Sequence, residues 1–261
     1  MSGGAKKRFG QNFLHDGNII AKIVDSIYPQ SDEHFVEIGP GHGAITAPLS
    51  RKCKHLDVIE IDRDLIAELE QRDWQGKVTI NPGDALKFDF SKLSRNGEQL
   101  RMAGNLPYNI STPLLFHLLD SATLFTDLHV MLQKEVVDRM IAEPGNKQYG
   151  RLTVMLAARC QIEHLFNIKP NCFRPAPKVD SSFARIVPLD EPLVSDEQYP
   201  IFKKVVTQAF SMRRKTLSNA LRPIMDPEDI EAAGIDPGLR AEALYPEEFL
   251  ALSTLVPENE V

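Results

Sequence analysis

From Phe35 to Leu189 the chain alternates short apolar runs with stretches of helical periodicity, and this alternation limits what it can fold into. HFVEIG, HLDVIEID, VTINPGDA, QLRMAG and LHVMLQ read as five strands with amphipathic segments between them. Strands separated by helices build a largely parallel sheet, so the expected class is α/β. Two later runs, CQIEHLF and SSFARIVPL, have no long helix between them and suit a hairpin closing one sheet edge. At DEPLVSDEQYP the composition turns acidic and proline-flanked. The runs that follow, YPIFKKVVTQAFSMRRKTLSNAL, PEDIEAAGI and GLRAEALYPEEFLALSTLV, all read as helical. One domain is expected over residues 1–190 and a small all-α domain over 191–261.

With 261 residues, 43% hydrophobic and 25% charged, the chain has enough apolar side chains for a sizeable core. No apolar run approaches the ~18 residues of a membrane span. The basic start MSGGAKKRFGQNFLHDGNII lacks the apolar stretch of a secretory signal. Its freedom from acids before Asp16 leaves a mitochondrial address open, but the expected location is cytoplasmic. Cys53, Cys160 and Cys172 are odd in number and far apart, which excludes a disulfide framework and a C-x-x-C site. No metal is expected.

The formal charge is −6 and the pI about 5.7, which taken alone opposes a nucleic-acid partner. The distribution says otherwise. Residues 201–225 contain Lys203, Lys204, Arg213, Arg214, Lys215 and Arg222 and no acid. On one helix, Lys203, Lys204, Arg214 and Lys215 share an arc of about 120°, opposite Phe202, Val205, Val206, Ala209 and Leu217. Arg213 falls on the apolar side, so such a helix should end or bend before it. A charged face is ordinarily just solvated; the absence of acids favours phosphate binding by Lys203, Lys204, Arg213, Arg214 and Lys215. Lys6, Lys7, Arg8, Lys147 and Arg151 extend the track.

VEIGPGHGAIT places Gly39, Gly41 and Gly43 directly behind a strand and ahead of a helix, where backbone can approach a ligand closely. Glu60, nineteen positions after Gly41, ends the next strand, where a carboxylate can accept from both hydroxyls of a ribose. The spacing G-x-G-x-G differs from the pyrophosphate fingerprint and favours a nucleoside without phosphates. Asp84 in NPGDAL suits either an acceptor for an adenine amino group or an Asx turn. In AGNLPYNIST, Leu106 precedes a proline and is held extended, while Pro107 has no N–H to offer. This stiff loop is either a plain strand exit or half of a site for a flat polar ring.

Together, EIGPGHG, Glu60, GDAL and NLPY resemble an S-adenosylmethionine-dependent methyltransferase acting on an amino group attached to a base. With QNFL, FRPAPKVDSSF and IDPGLRAEAL included, almost the whole chain resembles the ribosomal RNA adenine N6,N6-dimethyltransferase family, its small-subunit branch most closely. The resemblance implies a Rossmann-like class I methyltransferase sheet with a C-terminal all-α domain, and S-adenosyl-L-methionine as cofactor. It implies transfer of two methyl groups to N6 of each of two adjacent adenines near the 3' end of small-subunit ribosomal RNA. The implied partner is that RNA within a pre-ribosomal particle, met by a monomer during subunit biogenesis. Gln11, Asn12 and Leu14 are implied to cover the cofactor, alongside Gly39, Gly41, Glu60, Asp84 and Asn105. Phe173, ahead of Pro175 and Pro177, is implied to face Tyr108 across the adenine; a core phenylalanine is the other reading. Two alternatives remain: a ribosome-assembly factor with secondary catalysis, and a large-subunit rRNA adenine methyltransferase.

The chemistry can be reached without the likeness. An adenine amino nitrogen is a poor nucleophile because its lone pair is delocalised into the ring. The Asn105 side-chain oxygen and the Leu106 carbonyl can each accept one of its N–H groups. Acceptors that fit a pyramidal nitrogen better than a planar one lower the barrier. Tyr108 would stack on the base.

Overall fold

Asp16 accepts the N–H groups of Asn18 (2.9 Å) and Ile19 (3.1 Å) and so opens helix α1 (Gly17–Ile27), just after a two-residue strand β1 (Phe13–Leu14). The computed structural model describes residues 11–95, 97–212 and 214–256. After α1 come β2 (His34–Ile38), α2 (Thr46–Ser50), β3 (His55–Glu60), α3 (Arg63–Glu70), β4 (Val78–Pro82), β5 (Leu100–Asn105), α4 (Ser111–Asp120) and β6 (Phe125–Gln133). Next are α5 (Lys134–Met140), α6 (Arg151–Ala157), β7 (Cys160–Ile168), β8 (Phe173–Arg174) and β9 (Ser181–Pro188). The chain finishes with α7 (Tyr199–Ala209), α8 (Leu217–Ala220), α9 (Pro227–Ala232) and α10 (Pro246–Ser253).

Seven strands form one sheet in the order β4-β3-β2-β5-β6-β9-β7. The neighbours among β4, β3, β2, β5 and β6 run parallel, and β9 is antiparallel to β6. Every residue of β2 is buried, as a central strand covered on both faces requires. The strand order reverses between β2 and β5, which creates a crevice at their carboxyl ends. Ile38↔Ile59, Glu60↔Pro82 and Asn105↔Met131 pair in register, so Gly39, Glu60, Gly83 and Asn105 emerge along one edge. β7 lies outside β9 at the far edge, with a 3₁₀ turn and β8 inserted between them in sequence, so the expected hairpin is interrupted. The ribbon β1–β8 was not legible in sequence.

At the opposite end of the sheet, His34 bonds Asp57 through Nε2 (2.7 Å) and Glu98 through Nδ1 (2.9 Å), and Asn81 donates to Asp57 (2.8 Å). Burial opposes charge on His34, but the two carboxylates outweigh it and hold its pKa above the ordinary 6.5. All three cysteines are buried and unpaired.

The chain divides into two compact units, 1–137 with 163–188, and 138–162 with 189–261. The third and last crossing between the units, after Pro188, falls beside the boundary expected at 190. Residues 138–162, however, which the sequence reading kept with the sheet, pack with the later helices. In this second unit α10 packs on α7 and α6, and α8 packs on α7 and α9. Phe202, Val205, Val206 and Ala209 of α7 are buried with Leu217, Leu221, Ile230 and Phe249. The long helix expected from Tyr199 to Leu221 is therefore two helices: α7 stops at Ala209, and α8 opens where Leu217 and Ser218 donate to the carbonyls of Leu239 and Pro237. The run GLRAEALYPEEFLALSTLV is likewise a 3₁₀ turn at Ala241–Ala243 followed by α10.

Glu37, in the middle of the buried β2, accepts from the Thr46 hydroxyl at 2.6 Å. Burial pushes its carboxyl from 4.5 up to about 8, against the lowering effect of Thr46 and with help from the charge of Glu60. Between those pH values the unfolded chain loses this proton while the folded one keeps it, so stability falls as pH rises from about 4.5 to about 8. Glu37→Gln removes this contribution. Urea unfolding without cofactor should show the stability difference between pH 5 and pH 8 shrinking by about 2–4 kcal/mol, at ~1.4 kcal/mol per pH unit. An unaltered difference would place the Glu37 pKa near its ordinary value.

Candidate active site

The carboxyl edge of β2, β3, β4 and β5 opens into a cavity of about 230 Å³. Its walls come from Gln11–Phe13, the glycine loop, Glu60 and Ile61, Gly83–Leu86, and Asn105–Ile110. Each segment is set there by local chemistry.

The glycine loop turns through left-handed backbone, with φ of +68° at Gly39 and +56° at Gly41. A Cβ on Gly41 would lie 2.9 Å from the Phe13 ring, so the absence of a side chain lets the N-terminal segment close down on the loop. Gly104 serves a similar purpose at the floor: a Cβ there would meet the Ile38 carbonyl at 2.7 Å. It lets β5 bring Asn105 up against the end of β2. Gly104 was not singled out in the sequence, although a glycine inside a strand run is a signal of close backbone approach.

Glu60 is buried and accepts the N–H groups of Ile61 and Asp62 through one oxygen, both at 2.9 Å. Burial raises its pKa, while backbone N–H groups of Asp62, Ile61 and Gly41 oppose that rise. Asp62 caps α3 by accepting from Asp64 N (3.1 Å) and takes a further bond from Gln11 Nε2 at 3.1 Å. Asp84 accepts from Leu86 N at 3.0 Å, so the Asx turn is formed, and the residue also lines the cavity. The two readings of Asp84 prove compatible.

Asn105 donates from Nδ2 to the carbonyl oxygen of Asn12 at 2.9 Å. An amide nitrogen can only donate and a carbonyl can only accept, so this bond settles the rotation of the side chain. It leaves Oδ1 as the free acceptor. Leu106 is buried and donates its N–H to Met131 O (3.1 Å), and its own carbonyl receives no hydrogen bond from the described residues. Two neighbouring residues that line the cavity thus each carry an acceptor, the Asn105 side-chain oxygen and the Leu106 carbonyl. The Tyr108 hydroxyl bonds that of Ser181, which holds the ring on the cavity wall, and burial raises its pKa.

Gln11, Asn12 and Phe13 form a strap over the cavity, tied at Asp62, at Asn105 and, through Phe13 on the His42 ring (centroids 4.3 Å), at the glycine loop. Leu14 sits deeper, among the core side chains. Phe173 needs correction: it is 3% exposed, packs in that same core and does not line the cavity with Tyr108. The register explains why, since Phe173 stands opposite Leu14 in β1–β8 and shares its inward face. Phe13 and the half-exposed Ile61 line the cavity without having been singled out in sequence. The aromatic ring inside QNFLH was the available signal for the first.

In the second unit, Lys203 and Lys204 are half-buried on α7, while Arg214 and Lys215 are exposed beyond its end. They do not share one helix face as expected. Lys147 is exposed and Arg151 opens α6. Arg213, Lys6, Lys7 and Arg8 lie outside the described residues. Among the described residues no helix is long and apolar enough to cross a membrane.

The family model for ribosomal RNA adenine dimethylase matches residues 3–257. The chain is 54% identical over 252 residues to ribosomal RNA small subunit methyltransferase A of Aromatoleum aromaticum, covering 97% of this chain and 94% of that one. It is 49% identical to the protein of the same name from Pseudomonas aeruginosa, covering 97% and 95%. Among solved structures it resembles a dimethyladenosine transferase from Plasmodium falciparum, with TM-score 0.78, 27% identity and coverage of 92% and 95%. The fold is also that of the 23S rRNA methyltransferase ErmE, with TM-score 0.71, 24% identity and coverage of 94% and 99%.

Proposed function

The chain belongs to the ribosomal RNA adenine dimethylase family, and from that premise we propose that the acceptor pair at Asn105 and Leu106 receives the N6 amino group of an adenine turned out of small-subunit ribosomal RNA. The enzyme is an S-adenosylmethionine-dependent adenine dimethyltransferase of ribosomal RNA. The large-subunit alternative gives way, because relatives at about half identity carry the small-subunit name while ErmE shares the fold alone.

The residues at the cavity suit this cofactor. Glu60 offers a carboxylate for ribose hydroxyls, Asp84 an acceptor at the far wall, and the side-chain-free Gly39 and Gly41 leave room along the loop. S-adenosylmethionine, when bound, supplies an electrophilic methyl group. The protein's part is to hold and orient the amino group. Asn105 Oδ1 and the Leu106 carbonyl draw the two N–H groups out of the ring plane, which localises the nitrogen lone pair. Tyr108 offers its face to the base, and a base drawn from its stack recovers ~1–3 kcal/mol from such an aromatic surface. No strong base is required: an N–C bond would form as the cofactor's sulfur–methyl bond breaks, leaving a neutral thioether, and the nitrogen, then cationic, would lose its acidic proton to solvent. After one transfer a single N–H remains, and the notch must accept a methyl group in place of the other.

Within this reading the targets are two adjacent adenines near the 3' end of the RNA, presented in a pre-ribosomal particle to a monomer in the cytoplasm. Gln11, Asn12, Gly39, Gly41, Glu60, Asp84 and Asn105 are assigned to the cofactor, Leu14 being a core side chain that does not line the cavity, and Lys203, Lys204, Arg213, Arg214 and Lys215 are assigned to RNA phosphates. The two compact units are assigned as domains.

The observation that supports the reading is the Asn105–Asn12 bond, which spends the amide donor within the protein and leaves an acceptor on a side chain that lines the cavity. Immature small subunits incubated with methyl-labelled S-adenosylmethionine should yield dimethyladenine at two neighbouring positions. Label confined to one adenine would refute the adjacent-pair assignment, and no label from folded, cofactor-bound protein would refute the activity.

A further inference from the structure

The ribbon of β1 and β8 has two faces, and its register assigns one residue of each strand to each face. Leu14 stands opposite Phe173, and both are buried in the core. Phe13 stands opposite Arg174. Directly opposed residues of an antiparallel pair project on the same side. Arg174 therefore leaves the ribbon on the side where Phe13 lines the cavity, and it is exposed there.

The chain beyond Arg174 comes back to the same cavity. Lys134 donates its N–H to the Asp180 carbonyl at 2.9 Å, and the next residue, Ser181, carries the hydroxyl bonded to Tyr108. Between these fixed ends run Pro175, Ala176, Pro177, Lys178 and Val179, all exposed except the half-buried Pro177. The acid of the segment, Asp180, is already taken by Lys169 at 2.7 Å. Arg174 and Lys178 have no ion pair among the described residues. Two uncompensated cations thus sit on a rim whose ends are the strap and the Tyr108 wall, and two prolines limit how far it can wander.

On the reading that the cavity takes an adenine out of RNA, we infer that Arg174 and Lys178 clamp the backbone phosphates on either side of that nucleotide. A base turned inward brings its own phosphates to the rim of the pocket that holds it. Charge at the rim, and not within, is what such a substrate needs. A guanidinium can grip one phosphate in two-point fashion, and the lysine adds a point charge beside it. Two prolines narrow the conformations open to this segment before binding, which reduces the freedom lost on contact.

The test compares Arg174→Glu, Lys178→Glu and the double variant with the unsubstituted protein and with Lys52→Glu, a change in an exposed lysine just ahead of β3 at the other end of the sheet. Each is titrated with small ribosomal subunits from cells lacking this methylation, across a range of salt, and its cofactor Kd and methyl transfer are measured in parallel. The slope of log affinity against log salt should fall by about 0.7–0.9 for each phosphate released. Transfer efficiency on subunits should fall about tenfold or more in the double variant, with the cofactor Kd and thermal midpoint unchanged, and Lys52→Glu should behave as the unsubstituted protein does. An unchanged slope in the double variant, with transfer by the unsubstituted protein intact, overturns the clamp and leaves the activity standing. A weakened cofactor Kd with an unchanged slope also overturns it, and gives Arg174 to the carboxylate of the cofactor instead. Failure of the unsubstituted protein to transfer any methyl group counts against the activity, and the binding slopes still decide the clamp.

Discussion

Replacing Asn105 with alanine should lower methyl transfer by about 10²–10³-fold, the usual cost of removing one pre-aligned polar group from a reacting centre. The cofactor Kd should rise far less, by about two- to tenfold, because the variant also gives up one of the contacts that tie the strap down, the bond to the Asn12 carbonyl. The two losses have different origins: Oδ1 acts on the adenine, Nδ2 acts on the protein. Asn105→Asp separates them. Its carboxylate would set an oxygen against the Asn12 carbonyl where an N–H now donates, so at neutral pH the strap should loosen and both affinity and transfer should drop. Protonation restores a donor, and the activity of the aspartate variant, unlike that of the alanine variant, should recover as pH is lowered. Single-turnover rates and cofactor titrations on the three proteins between pH 5.5 and 8.5 read both effects. Equal losses in rate and affinity for the alanine variant would reduce Asn105 to a strap anchor, and a flat profile for the aspartate variant would remove the Asn12 carbonyl from the account.

What could be read from sequence and what could not divides along physical lines. β2 and β3 were plain because each is a short run dominated by apolar, β-branched or aromatic residues and bounded by polar or turn residues, and Glu60 was plain because it is the acidic last residue of one of them. The ribbon of β1 and β8 was hidden, since two-residue strands have no periodicity and their register rests on pairs far apart in sequence, Leu14 with Phe173 and Phe13 with Arg174. That hidden register reversed the expected use of Phe173 and exposed Arg174. The polarity of Asn105 was likewise out of reach: sequence supplies an amide but not which end faces the substrate, and only the Asn12 carbonyl decides it. In the second unit the 3.6-residue period did carry a warning. Extending α7 past Ala209 would have turned Arg213 toward the apolar side, and the helix stops before that point. The placement of residues 138–162 with the later helices gave no such sign, because a crossover between β6 and β7 looks the same in sequence whichever unit it packs on.

Asp127→Ala should destabilise the protein by about 3–5 kcal/mol, the cost of leaving a buried cation without its partner. Asp127 is 1% exposed and receives Arg101 through Nε (2.7 Å) and Nη2 (3.0 Å), together with Arg185 Nε at 3.0 Å. Arg101 is itself buried and turns its remaining donors to Glu33 (2.8 Å) and to the Ile27 carbonyl (2.8 Å). The cluster joins α1, β5, β6 and β9, and β5 is the strand that carries Asn105. Burial raises the Asp127 pKa, but Arg101, His129 and Arg185 outweigh it and hold the carboxyl below its ordinary 3.8. Its contribution is therefore complete above that value and is lost as pH falls through the folded pKa. His129 adds acid sensitivity in a higher window: burial depresses its pKa from 6.5 to about 4, so the unfolded chain takes up the proton first and stability declines as pH drops across that interval. Urea midpoints at pH 7 should rank Asp127→Ala well below Arg185→Ala, since the Arg185 side chain is 40% exposed and its loss leaves Asp127 still paired. Combining Arg101→Met with Asp127→Leu should cost less than Asp127→Ala alone, because it removes both buried charges together. A double variant less stable than the single one would mean that the geometry of the pair, and not the stranded charge, is what the sheet depends on.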